Sequence, residues 1–264
     1  SGLELQGRLR FVEGAEEATH LLVPLAGRDA LALVELGAPG VAIRPLRHMN
    51  GPVSCDAVLD AVAAKPVAVG AAALADLRDL ASLLLVARAC GAARRAFDLA
   101  VAYAKERRQF GRPIGAFQAI QHKLANGFIA LEGVRLCVDH AARRLDDDAA
   151  DRGFYVAAAV AYASDALKKL ALETQHAFGA IGYAEEHEAP RHFRRVHLDC
   201  LAASAGGRSR QALAAWLLDG ASPTLPSHDL GPDGNAFRDE VRAWLAANWS
   251  GARREAFDRR PFKQ

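Results

Sequence analysis

Cysteine is scarce in this sequence: the four, Cys55, Cys90, Cys137 and Cys200, lie far apart, and no two form a C-x-x-C pair. That spacing argues against a disulfide framework or a structural zinc site and fits buried, reduced thiols in a cytosolic protein. A surplus of one charge is also missing. Lysine and arginine total 33 against 31 acidic side chains, a net charge of +2, which offers no footing for nucleic acid or an anionic membrane surface. Long hydrophobic runs are absent too. The longest, such as LASLLLVA after Asp79, is too short to span a bilayer, and nothing reads as a signal peptide. No His, Asp and Cys spacing supports a metal. The composition, 51% hydrophobic and 24% charged, is that of a soluble globular protein, expected in the cytoplasm. With 264 residues it can form one large domain or two smaller ones around a buried core.

From Leu3 to about Val69 the texture is β. LELQGRLRFVEG alternates at period two, HLLVPLAG and ALALVEL are short apolar runs, and VAIRPLRHMNG is a strand closed by Asn50-Gly51. Short strands with Gly turns predict a barrel-like or open antiparallel sheet. From about Ala72 the pattern turns helical: Ala72 to Gln109, Phe117 to about Leu145, Phe154 to about Phe178, and Arg191 to about Leu218 interrupted near Gly206-Gly207. Four long antiparallel helices with short connections predict a bundle. The fold class is therefore α+β and mostly α, part of an antiparallel β-domain followed by a four-helix bundle. A Pro-, Gly- and Ser-rich linker, DGASPTLPSHDLGPDGN, precedes AFRDEVRAWLAANW. That stretch predicts an amphipathic helix with apolar residues Phe237, Val241, Trp244, Leu245 and Trp249 and a possible cap at Asn235.

The most informative stretch is AYAKERRQFGRPIGAFQ, Ala102 to Gln118. Its helix meets Gly111, Pro113 and Gly115 within five residues, which no helix survives intact. The turn presents Arg107, Arg108 and Arg112 beside Phe110, a combination suited to a phosphate and the planar system attached to it. The same spacing also fits a plain helix–helix corner, with Phe110 in the core and the arginines solvated.

Glu106-Arg107-x-Gln109-Phe110-Gly111 followed by Phe117-Gln118-Ala119-Ile120-Gln121 resembles the signature of the acyl-CoA dehydrogenase family. The resemblance implies FAD: Arg107 would contact its pyrophosphate, Phe110 would pack near the adenosine part, and Gln118 would bind further along, all on the flavin of a neighbouring subunit. Leu5-x-Gly7-x-x-x-Phe11-Val12-x-Gly14-Ala15 and Ala38-Pro39-Gly40-Val41 resemble the second half of the family's middle β-domain. The family's amino-terminal domain has no counterpart, so a chain opening at Ser1-Gly2 is expected to be part of a longer protein. Phe178 to Asp199 resembles the family's glycine-rich turn, in which Gly179 and Gly182 would let backbone approach the flavin. It departs at Ala180, which replaces the middle glycine, and at His176, which stands where a flavin-binding glutamine is usual, with Gln175 one step off. The cofactor-binding set implied is Arg107, Phe110, Gln118, His176, Gly179 and Gly182.

The family oxidises an acyl-CoA to the trans-2-enoyl-CoA, using a carboxylate base of raised pKa opposite the flavin. Its usual glutamate aligns with Ala205, and an alternative position on the preceding helix falls near Ala81. Neither residue can take a proton, so this segment reads as a half without the catalytic base. Glu185, Glu186 and Glu188 with His187 form an acidic cluster near the glycine turn. Glu186 could serve as a relocated base, whereas loop glutamates are more often solvated or paired, here with Arg194 or Arg195. His192 and His197 support no metal.

Finally, Phe237-Arg238-x-Glu240-Val241-Arg242-x-Trp244-Leu245 resembles the opening helix of a further dehydrogenase-like half. The implied organisation is residues 1–70 as the end of the β-domain, 71–219 as the helical domain, 220–235 as linker and 236–264 as the start of the next half. This resembles the fused two-half acyl-CoA dehydrogenases of actinobacteria, which act on steroid side-chain CoA thioesters. The partners implied are an acyl-CoA substrate, a second half or homologous subunit, and an electron-transfer flavoprotein. The assembly would be a homodimer of fused chains or a heterotetramer. The alternative is a structural oligomerisation module without flavin.

Overall fold

The β region is built on its last strand. β1 (Leu3–Glu13), β2 (His20–Pro24), β3 (Ala30–Glu35) and β4 (Val41–Leu46) precede β5 (Ser54–Ala68), whose 15 residues pair with three of them, all antiparallel. β1 runs along one side of β5, from Leu3 opposite Ala64 to Glu13 opposite Ser54. On the other side β4 covers the first part, Val41 opposite Leu59, and β3 takes over at the end, Ala30 opposite Ala68, with β2 outside it. Register shifts in β1 at Leu5/Gly7 and Leu9/Val12 bend the strand, so the sheet curls. Val23, Val34, Leu59 and Val62 form its core. The sequence did not single out β5, and the Asn50-Gly51 closure expected after β4 lies outside the described residues. The computed structural model describes residues 3–46, 54–204, 207–219, 230–249 and 251–258. The chain divides into two units, Ser1–Pro223 and Thr224–Gln264.

In the first unit β5 leads into α1 (Ala71–Glu106), a helix of 36 residues. Its buried positions, among them Ala89, Ala93, Ala96, Ala100 and Ala104, recur at three- and four-residue steps, one face of a helix. Small side chains there let the neighbouring helices come close. α2 (Gln118–Asp146), α3 (Arg152–Phe178), α4 (Ala189–Ala203) and α5 (Arg208–Leu218) complete the bundle. Leu83, Val86, Leu131, Val134, Val160, Leu167 and Val196 are buried together at its centre. Each is a side chain whose full burial contributes about 1.5–3 kcal/mol. The stretch expected from Arg191 to Leu218 with an interruption near Gly206-Gly207 is the two helices α4 and α5, which part before Gly207. α4 starts at Ala189 on Pro190, a favourable first-turn residue, and Gly207 before α5 holds the left-handed conformation at φ 71°.

Arg88 of α1 donates both arms of its fork to Asp199 of α4, at 2.9 and 2.7 Å, and lies 3.9 Å from Glu13 of β1. Sheet and bundle are joined by this cluster, whose Asp199 is only 1% exposed. Cys55 and Cys200 are buried as expected, but Cys90 and Cys137 are half-buried. Burial pushes the Cys200 thiol up to about 12, which leaves it protonated and inert.

The second unit contains α6 (Gly231–Asn248) and α7 (Gly251–Asp258). α6 starts earlier than the sequence suggests, and Asn235 is not its cap. Asn235 lies inside the helix and its Oδ1 accepts the Leu230 N–H at 3.1 Å, a bond backwards over the first turn. Phe237, Val241, Trp244, Leu245 and Trp249 are all exposed. Among the described residues no helix is long and apolar enough to cross a membrane, and no group of three His, Cys, Asp or Glu is placed to hold a metal ion.

Candidate functional site

At the end of α1 the chain leaves the helix at Arg107, whose backbone is extended (φ −65°, ψ 122°) while its N–H still donates to the Tyr103 carbonyl at 2.8 Å. The next residues form a miniature hairpin, β6 (Arg108–Gln109) against β7 (Arg112–Pro113). Its two turn residues are Phe110 and Gly111, at φ 51° and 79°, the pair of positive angles that a tight two-residue hairpin turn requires. Glycine adopts this freely. A phenylalanine does not, and a bulky residue held there is an outlier of the kind that clusters at functional sites. The Ile114 N–H then bonds to the Arg107 carbonyl at 2.8 Å, clamping the hairpin to the helix. A single 3₁₀ turn, Ile114–Ala116, leads into α2. Gly115 is required by space: a Cβ there would sit 2.9 Å from the Ala104 carbonyl oxygen.

The hairpin carries Phe110 outward, 92% exposed. This overturns the plain-corner reading, in which Phe110 would fill the core. Phe110 meets the Phe117 ring edge-on at 6.1 Å, and the Arg112 guanidinium lies 4.1 Å from the centre of the same Phe117 ring. Arg108 donates to the Gly111 carbonyl at 3.3 Å. Two of the three arginines thus brace the hairpin. The third, Arg107, faces a cleft.

That cleft, about 490 Å³ and open, lies between the end of α1 and the end of α3. Tyr103, Arg107 and Gln109 line one side, and His176, Gly179 and the backbone beyond it line the other. Gly179 ends α3 at φ 63° and ψ −139°, a region accessible in practice only to glycine. Nothing lies within 4 Å of where its Cβ would be, so its backbone is open to a ligand. Gly182 is different. Its Cβ would fall 2.9 Å from Phe178 Cβ and 3.0 Å from the Gln175 carbonyl oxygen, and its own carbonyl accepts a hydrogen bond from the buried Gln175 side chain. Gln175 and Gly182 hold the 3₁₀ turn Gly179–Tyr183 against α3, while the half-exposed His176 faces the cleft. Of the sequence-derived set, the cleft brings together Arg107, His176 and Gly179. Phe110 stands at the hairpin tip, Gln118 is exposed at the start of α2, and Gly182 is packed. Tyr103 and Gln109 were missed. Tyr103 could have been found as the residue one helical turn before Arg107.

At the positions expected for a base, Ala81 is exposed on α1, and Ala205 lies outside the described residues. In the acidic cluster, Glu185 is held by Arg194 at 2.6 and 2.8 Å, which lowers its pKa. Glu188 is held by Arg95, with His192 at 3.4 Å; the Arg95 bond is the main cause that lowers its pKa as well. Glu186 is exposed and does not line the cleft. A second cavity of about 240 Å³ between α1, α3 and α5 contains Asp79, Ser82, Arg208 and Trp216. Burial, reinforced by Asp76, raises the Asp79 pKa against the opposing pull of Arg152. The sequence signal for it was an acid beside the apolar LASLLLVA run.

Comparison with known proteins converges on one family. Residues 74–216 match the model of the acyl-CoA dehydrogenase C-terminal domain. The chain is 34% identical over 192 residues to acyl-CoA dehydrogenase FadE34 of Mycobacterium tuberculosis, covering 72% of this chain and 26% of FadE34. It is 39% identical over 121 residues to acyl-CoA dehydrogenase IpdE2 of Mycolicibacterium smegmatis, covering 46% of this chain and 37% of IpdE2. Among solved structures it is similar to the ChsE4-ChsE5 complex of Mycobacterium tuberculosis (TM-score 0.77, 28% identity) and to a variant of the Tcur3481-Tcur3483 steroid ACAD (TM-score 0.76, 32% identity). Each of these covers 84% of this chain and 61% of the other. The chain thus spans between a quarter and two fifths of the two curated relatives' length.

Proposed function

The chain belongs to the acyl-CoA dehydrogenase family, and on that premise we propose that it forms the flavin-contacting helical part of a dehydrogenase acting on an acyl-CoA thioester of the steroid side-chain class. The observation that carries the reading is the clamped hairpin. A strained Phe110, 92% exposed, and a cleft-facing Arg107 lie outside the buried core of the bundle, and they suit a planar group joined to a diphosphate. The residues fit FAD in kind. Arg107 would hold the diphosphate as a charge-matched donor, the open backbone at Gly179 would admit close approach, and Phe110 would offer its ring to the adenosine part. Gln118 would bind further along. When bound, FAD supplies the redox chemistry, accepting the substrate's β hydrogen as hydride.

The part left to the chain is binding and orientation. In the family a carboxylate removes the α proton; neither Ala81 nor Ala205 is one and Glu186 does not line the cleft, so on this reading the base comes from outside this segment. The substrate class follows the steroid ACAD similarity, the partner is a second dehydrogenase half or homologous subunit, and electrons leave to an electron-transfer flavoprotein. A purely structural module is the competing reading. It is favoured by the lost glutamate and by His176 in place of the usual glutamine, and opposed by the Arg107-to-Gly111 pattern and the presentation of Phe110.

The test is flavin content. Arg107→Ala removes a charge-assisted contact of about 1.5–3 kcal/mol. The purified variant should therefore retain at least tenfold less flavin on dialysis, with unchanged circular dichroism. Equal flavin in wild type and variant, or a colourless wild type, would sink the reading.

A further inference from the structure

We propose that His176 makes the cleft's hold on the flavin's diphosphate dependent on pH, tighter in mild acid than in mild base. The inference rests on the reading that Arg107 meets that diphosphate. His176 stands in the last turn of α3 and lines the cleft opposite Arg107. The carbonyl end of a helix favours a cation in its last turn. One turn back, Glu173 Oε2 lies 3.9 Å from His176 Nδ1, but the same oxygen is taken by Lys123 of α2 at 2.6 Å. Glu173 is thus shared between Lys123 and His176, and His176 lines the cleft.

From α1 the cleft is lined by the cationic Arg107 and the neutral Tyr103. Gln109 of the hairpin is neutral, and the 3₁₀ turn lends only the uncharged residues Ala180 and Ile181. The charges around the ring are thus a helix end and a shared carboxylate on one side and an arginine across the cleft on the other. A ligand bringing two phosphate charges to the cleft would add anions beside the ring, and an adjacent anion favours the imidazolium. Binding would then take up a proton, and the cleft would meet the diphosphate with two cations instead of one. A glutamine at this position could donate a hydrogen bond but could not change its charge.

Calorimetric binding of FAD to the flavin-stripped protein in its native assembly tests this at about pH 6 and about pH 8, the span in which histidines usually change charge. Buffers of different ionisation enthalpy report proton uptake. The wild type should bind several-fold more tightly at the lower pH, with an upper limit of about tenfold per pH unit for one linked proton. It should take up a proton that His176→Gln does not. His176→Gln should bind FAD with little pH slope. A wild type that binds without slope, or a His176→Gln variant that keeps the slope and the proton uptake, would overturn the proposal and leave the flavin reading standing. Absence of FAD binding at both pH values, or Arg107→Ala binding like wild type, would overturn the flavin reading and the proposal with it.

Discussion

At the scale of single residues, Phe110 concentrates the conflict between folding and function. A non-glycine residue in the left-handed region costs roughly 1–2 kcal/mol, and this one recovers nothing by burial because its ring is 92% exposed. Phe110→Gly should therefore stabilise the protein. The gain is limited to about 1 kcal/mol or less, because glycine also makes the unfolded chain more disordered. The same change removes the ring offered to the cofactor, so flavin retention should fall as the denaturation midpoint rises. A variant in which both stay constant would deprive Phe110 of the role assigned to it. Arg107, Arg108 and Arg112 show how far residue type carries. The sequence put three arginines beside a ring, but their division of labour depended on the hairpin. Arg112 stacks on Phe117 and Arg108 caps the Gly111 carbonyl, whereas Arg107 lines the cleft.

At the scale of elements, Gly115 sets the hairpin against α1. With only 2.9 Å between its would-be Cβ and the Ala104 carbonyl oxygen, Gly115→Ala has to push backbone from backbone. The expected cost is about 1–3 kcal/mol, as for other overpacked sites, with flavin lost more steeply than stability because Arg107 moves with the strap. Urea denaturation and flavin absorbance on one preparation measure both. Helices were legible for a physical reason: α1 to α3 bury a periodic stripe, so composition and period agree. β5 was harder to see. SCDAVLDAVAAKPVA is alanine-rich and holds a proline, and it buries Asp56 between neighbours that look like a core run. Its strand character comes from pairing on both edges, and Asp56 is tolerated because Arg8 reaches it from β1 and Arg10 Nε lies at 3.5 Å. Those partners are over forty residues away in sequence and leave no local trace. The cleft was half legible for a similar reason. The turn at Arg107 and the glycine at Gly179 are local signals, but their meeting is tertiary, and Gln175 and His176 exchange roles according to which side of α3 each occupies.

At the scale of the first unit, the Arg88 cluster joins sheet to bundle. Arg88→Met keeps the hydrophobic stem and removes the fork, leaving buried Asp199 with Arg195 at 3.5 Å as its remaining cation. Loss of a charge-assisted pair to a buried carboxylate costs about 2–3 kcal/mol, visible as a lowered urea midpoint. If instead the midpoint is unchanged, solvent or Arg195 satisfies Asp199 and the cluster is dispensable.

The unbroken length of α1 has a consequence for how this chain can change over time. Thirty-six residues at about 1.5 Å each make a rod of roughly 54 Å, with the sheet at one end and the hairpin at the other. Such a rod works as a ruler and a protractor together. Inserting one residue between Leu83 and Ala104 would turn everything beyond it by about 100° and advance it by about 1.5 Å, carrying Arg107 away from α3. Descendants of this sequence can lengthen the loop between β1 and β2 or the connection before α3 at small cost. Within α1 they can substitute freely on the exposed side, but they can neither add nor delete.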